Sequence, residues 1–159
     1  MSKVHYIKQV QKLPISVEEA WSFFSSPKNL ARITPAELGF TITSELTDAE
    51  IHPGQIITYI VKPLLGIPLF WMTEISHVER HKLFVDEQRK GPYALWHHQH
   101  HFKPIAGGVE MTDIVHYRIP FGPLGALGTP IVKGQLSKIF TYRRQKVEEL
   151  FGTFNASSS

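Results

Sequence analysis

The chain has 159 residues, 42% hydrophobic and 19% charged, which is the composition of a folded domain and excludes a disordered chain. At this length about 70% of the unfolded surface can be buried, so one domain over residues 1–154 with a flexible tail at 155–159 is expected. The formal charge of +3 comes from 17 basic and 14 acidic residues scattered along the chain, and no basic stripe marks a nucleic-acid partner.

With no cysteine the chain needs no oxidising compartment. The polar start, with Lys3, His5 and Lys8, lacks the apolar core of a signal peptide, so a cytoplasmic location is expected. The most apolar stretch, residues 56–72, is broken by Lys62, Pro63 and Pro68 and reads as two strands around a turn rather than an integral membrane segment.

Residues 4–13 form a first predicted strand, closed by Pro14, which cannot donate to a sheet ladder. Ser16 and Glu19 then make a capping-box pattern, and Val17, Ala20, Trp21 and Phe24 fall on one face of a short helix. Pro27 opens a second helical turn over 28–33, which ends before Thr34-Pro35. Six strands follow, at 40–46, 54–62, 67–79, 82–90, 93–103 and 108–119, separated by short turns rich in Gly and Pro or, at Arg80-His81, by a polar pair. After a loop at 120–128, Thr129 and Pro130 are expected to cap and start a long helix. Its apolar residues recur at helical spacing from Ile131 to Phe151, with Gly152 as the stop. One strand, two short helices, a six-stranded meander and a long terminal helix make an α+β layout, a curved antiparallel sheet wrapping the last helix.

Several stretches carry a resemblance. They are Asn29-Leu30 to Thr34-Pro35; Trp71 with Thr73-Glu74-Ile75; Asp86-Glu87-Gln88 through Gly91-Pro92-Tyr93 to Trp96, His98, His100 and Phe102; and Ile139-Phe140 with Tyr142-Arg143. Together with the order of elements, they resemble the START-like (SRPBCC) superfamily, and more narrowly its small bacterial ligand-binding or polyketide cyclase/dehydrase-like proteins. The resemblance covers nearly the whole chain. It implies a helix-grip fold of seven strands, and only loosely an activity, since members bind, transport, cyclise or sense hydrophobic molecules.

Strand alternation places Trp96, His98, His100 and Phe102 on one face and His97, Gln99 and His101 on the other. If the tight turn at Ala106-Gly107 pairs residue 100 with 113, then His98 faces Val115, Trp96 faces Tyr117, and His100 and Asp113 are neighbours. Such a pair can be an internal polar network, a ligand contact, or a general base for a cyclase, dehydratase or hydrolase; no nucleophile motif accompanies it. Either Glu87 or Gln88 should also point inward, the register at Gly91-Pro92 leaving open which. Only His98 and His100 of the four clustered histidines share a face, so no metal and no cofactor is expected.

The expected activity is binding of a small, largely apolar ligand between sheet and last helix. Trp71, Phe84, Trp96, Val115, Tyr117, Leu136, Ile139 and Phe140 would line the site, and Glu87 or Gln88, His98, His100 and Asp113 would form its polar wall. Apolar loops at one end of the sheet (34–38, 64–69, 91–93, 120–128) would form its mouth or, alternatively, a homodimer contact.

Overall fold

The computed structural model describes residues 3–47 and 50–156. Asp48, Ala49 and the part of the predicted tail beyond residue 156 lie outside the described residues. Strand β1 (His5–Leu13) leads into helices α1 (Val17–Phe24) and α2 (Pro27–Arg32), a 3-10 turn (Ala36–Leu38), and strands β2 (Thr41–Ile42), β3 (Ile56–Val61), β4 (Leu69–Glu79), β5 (Leu83–Lys90), β6 (Leu95–Ile105) and β7 (Gly108–Arg118). Helices α3 (Gly122–Ala126) and α4 (Thr129–Phe151) complete the chain.

The seven strands form one antiparallel sheet in the order β1-β7-β6-β5-β4-β3-β2, so the meander closes by bringing the first strand onto the last. Pairing slips at Met72/Thr73 and at Ile75/His77 within β4, irregularities that bend a sheet and let it curl around a helix. Ser16 caps α1 as its spacing to Glu19 predicts, its Oγ accepting the Glu19 backbone N–H at 3.1 Å. Ala20, Trp21 and Phe23 are the buried side chains of that helix; Phe23, absent from the predicted face, packs edge-on against Phe151 at 4.9 Å between ring centres.

Three elements differ from expectation. The second strand has only two residues, because Thr43 and Ser44 turn their backbone N–H groups onto the single carbonyl of Thr58. The segment expected as a loop at 120–128 contains α3. That helix runs almost directly into α4, so the N-cap of α4 is Gly128 rather than Thr129 and no side chain caps it.

Apolar burial falls in two bodies. The larger joins α1, the ends of β1 and β7 and the C-terminal part of α4 through Leu13, Trp21, Phe102, Val109 and Val147. Trp21 stands edge-on to Phe84 and Phe102, with ring centres 5.7 and 5.3 Å away. The smaller gathers Val115, Tyr117, Ile119, Leu136 and Phe140, with Tyr93 and Trp96 against it.

Closing the sheet depends on close backbone approach at Gly108, where a Cβ would fall 1.9 Å from the Leu13 carbonyl oxygen. Gly108→Ala is therefore expected to lose about 1–3 kcal/mol of unfolding free energy in denaturant titration, by prising β1 from β7.

Candidate functional site

The β6–β7 pairing sets Trp96 opposite Tyr117, His98 opposite Val115, His100 opposite Asp113 and Phe102 opposite Met111, the register expected from the Ala106-Gly107 turn. On the other side, β5 pairs with β6 so that Asp86 lies opposite His98 and Phe84 opposite His100. Two-residue alternation then carries Phe84, Asp86 and Gln88 to the inner face.

Four inner side chains make one cluster. His98 Nε2 lies 2.8 Å from Asp113 Oδ1, and His100 Nε2 lies 2.6 Å from Asp86 Oδ2. His100 Nδ1 is 3.3 Å from the same Asp113 oxygen, while His98 Nδ1 stands 3.8 Å from Asp86, beyond hydrogen-bonding distance. The two imidazoles lie with centres 3.7 Å apart at a tilt of 30°, and Phe84 stacks on His100 at 4.1 Å.

These contacts decide the charges. Burial alone would lower the His100 pKa, but hydrogen bonds to Asp113 and Asp86 outweigh it and raise it from 6.5 to about 9. Burial and the neighbouring His100 charge both lower His98, against the weaker pull of Asp113 and Asp86. At neutral pH this assigns an imidazolium at His100 and a neutral ring at His98, whose Nε2–H donates to Asp113. Burial would raise both carboxylates, yet the histidine hydrogen bonds and charges hold Asp86 below its ordinary range and Asp113 far below it.

Helix α4 adds a further charge. Its buried residues Leu136, Phe140 and Val147 form one stripe, and Arg143 sits within it, three residues beyond Phe140 and four before Val147. The guanidinium lies 5.4 Å from the Phe140 ring centre and attracts Asp113 and Asp86 electrostatically. Its Nε is shut off from solvent and has no hydrogen-bond partner. Two carboxylates thus face one imidazolium and one guanidinium, a balanced set between the two apolar bodies.

The residues expected to form a polar wall are divided between the two faces of the sheet. His98, His100 and Asp113 meet as anticipated, and Gln88 faces inward, where it pins the β5–β6 turn by bonding both the carbonyl and the N–H of Tyr93. Glu87 does not belong to this wall: strand alternation turns it outward, where it bonds His97 at 3.0 Å and continues through Gln99 to His101 along the outer face. Asp86 and Arg143 take part although the sequence reading assigned neither a role.

Of the expected lining, Phe84, Val115, Tyr117, Leu136 and Phe140 are buried, and Ile139 is half-buried. Trp71 and Trp96 meet edge-on at 5.5 Å, and Tyr93 packs on Trp96 at 4.8 Å. All three of these aromatic residues stay only half-buried. Among the described residues, surface clefts lie elsewhere, one of about 260 Å³ beside Trp21, Pro27 and Leu46 and another of about 470 Å³ over the outer face near His101 and Glu110.

Donor atoms of Asp86, His98 and His100 come within 4.8 Å of one another, close enough geometrically for a metal ion. His100 and Arg143 also bring positive charge up to the Asp86 and Asp113 carboxylates. Proton transfer is constrained, since three of the four ring nitrogens already bond a carboxylate.

No protein-family profile matches the chain, and no curated protein matches it. Solved structures do. A START superfamily protein from Mycobacterium smegmatis is 13% identical with a TM-score of 0.68, over 92% of this chain and 99% of that one. An uncharacterized protein from Rhizobium leguminosarum is 10% identical with a TM-score of 0.67, over 94% and 97%. Ara h 8.0201 is 16% identical with a TM-score of 0.60, over 92% and 99%. At these identities the likeness is one of fold: the chain has the START-like helix-grip architecture.

Proposed function

We propose that this helix-grip chain binds a small, largely apolar molecule between the inner face of its sheet and α4, and that Arg143 donates to a neutral oxygen acceptor on that molecule. The observation that carries this reading is the Arg143 Nε–H, which is shut off from solvent and has no acceptor. A buried donor without a partner costs about 1–3 kcal/mol, a penalty that a ligand oxygen would remove. A carbonyl or hydroxyl suits this position better than a carboxylate, because the two aspartates already balance the two cations and a further anion would stand uncompensated. The half-buried Trp71, Tyr93 and Trp96 would supply aromatic surface for the ligand's apolar part. Burying about 300 Å² of an apolar ligand contributes on the order of 7 kcal/mol before association costs, which suffices for micromolar binding.

The test is a titration of the protein with a long-chain methyl ketone, the matching alcohol and the matching alkane, followed by tryptophan fluorescence, to which Trp71 and Trp96 contribute beside Trp21. The ketone and alcohol are expected to bind more tightly than the alkane. Arg143→Met should weaken ketone binding at least about tenfold while leaving the alkane unchanged. Equal affinity for all three in the wild type, or a variant that binds the ketone as well as the wild type, would refute the assignment.

A further inference from the structure

Large apolar side chains stand in solvent at one end of the molecule. Leu65 is 94% exposed, Phe121 81%, Leu127 80% and Leu124 77%, with Ile67 and Leu64 above half. They occupy two segments, the β3–β4 loop and the β7–α4 connection, and the loop is tied to α4 by the Gln135 side chain, which donates to the Pro63 carbonyl. An exposed apolar patch of this kind is uncommon on a monomeric protein and marks a contact surface.

The backbone adds a second observation. Leu65 and Phe121 each adopt a left-handed conformation, at φ 53° and 70°, and each is followed by a left-handed glycine, Gly66 and Gly122. The first pair sits in a tight turn closed by the Ile67 N–H on the Leu64 carbonyl. That conformation favours Gly, Asn or Asp and penalises a large side chain. Both tips thus hold an unfavourable residue that gains no burial within the chain, so folding does not account for it.

Charge identifies the occupant. Residues 62–70 and 118–134 contain no acidic side chain. Lys62 and Lys133 lie at the ends of these segments, and Lys90 extends over the Phe70 ring, 5.9 Å from its centre. Glu37, in the 3-10 turn whose Leu38 carbonyl accepts the Lys62 N–H, is the acidic neighbour. Two copies meeting symmetrically through this surface would set the lysines of each against segments that carry no acidic side chain, whereas an anionic bilayer would accept apolar tips and lysines together. No helix among the described residues is long and apolar enough to cross a membrane, so the contact is interfacial.

We infer that the Leu64–Ile67 and Phe121–Leu127 tips insert into the surface of an anionic lipid bilayer, with Lys62, Lys90 and Lys133 meeting its headgroups. The inference stands apart from the ligand assignment, since it uses none of the inner-face residues. It is tested by co-sedimenting the full chain with vesicles of phosphatidylcholine alone or with about 30% phosphatidylserine. Binding is expected to the second vesicle, to weaken as salt is raised, and to fall at least about tenfold in the double variant Leu65→Asn, Phe121→Asn. Asn tolerates the left-handed conformation, so this variant should melt no lower than the wild type, which separates lost docking from lost folding. The inference is overturned if the wild type stays in the supernatant with both vesicles, or if the double variant binds as the wild type does. It is equally overturned if sedimentation equilibrium without lipid shows a dimer that the double variant abolishes.

Discussion

Asp113→Ala should lower the unfolding free energy by about 3–5 kcal/mol at neutral pH, a fall in melting temperature of roughly 10 °C for a chain of this size. One Asp113 oxygen accepts from His98 at 2.8 Å and from His100 at 3.3 Å. Its loss leaves the His98 Nε2–H without an acceptor and reduces the His100 imidazolium to a single carboxylate, in a site largely shielded from water. The cost is that of stranding charge and donors in a low-dielectric interior rather than of any one contact. Asp113→Asn keeps the shape and an acceptor oxygen but not the charge, so it should fall between wild type and alanine. The exposed pair Arg80–Glu50, as short at 2.8 Å, should by comparison matter little, because water screens it. A denaturant titration showing less than about 1 kcal/mol for Asp113→Ala would mean that the cluster is solvated and not the buried belt described.

Stability should also depend on pH in a way that names these residues. The His100 pKa is raised from 6.5 to about 9 on folding, so its contribution is fully present below 6.5 and is lost as pH rises through about 9. That alkaline loss is of order 3 kcal/mol. On the acid side Asp86 and Asp113 are depressed, so what they contribute is present above the ordinary carboxylate range and disappears as pH falls through their folded values. His98 is depressed as well, which penalises the folded state once pH drops below 6.5, where the unfolded ring would take a proton. The two limbs meet in a maximum at roughly pH 6–7. His100→Asn should abolish the alkaline limb between 6.5 and about 9 while leaving much of the acid limb, and a wild-type profile flat across that interval would contradict the assigned imidazolium.

Much of this was legible from local rules. Strand alternation and one tight turn were enough to place Trp96, His98, His100 and Phe102 opposite Tyr117, Val115, Asp113 and Met111, because a two-residue turn leaves little freedom of register. The β5–β6 turn is longer, and its register depends on Gln88 bonding the Tyr93 backbone, a tertiary detail without a sequence signature. The choice between Glu87 and Gln88 therefore stayed open, and Asp86, two residues from Gln88 on the same face, went unassigned. Arg143 did have a signal. A cation in register with Leu136, Phe140 and Val147 is anomalous in an apolar stripe, but centring the inner face on Leu136, Ile139 and Phe140 hid it. The short α3 escaped for a simpler reason: its glycines and proline read as a loop, and only its continuation into α4 makes it helical.

On the proposed reading, the belt and the half-buried Trp71, Tyr93 and Trp96 would receive a guest with one polar atom. Mass spectrometry of the intact protein under native conditions, after gentle purification from the cells that express it, tests this most directly. A bound small molecule of apolar character carrying a carbonyl or hydroxyl, present in the wild type and depleted in Arg143→Met, is the expected result. A wild-type mass equal to the bare polypeptide, unchanged on addition of the ketone and the alcohol, would contradict the account.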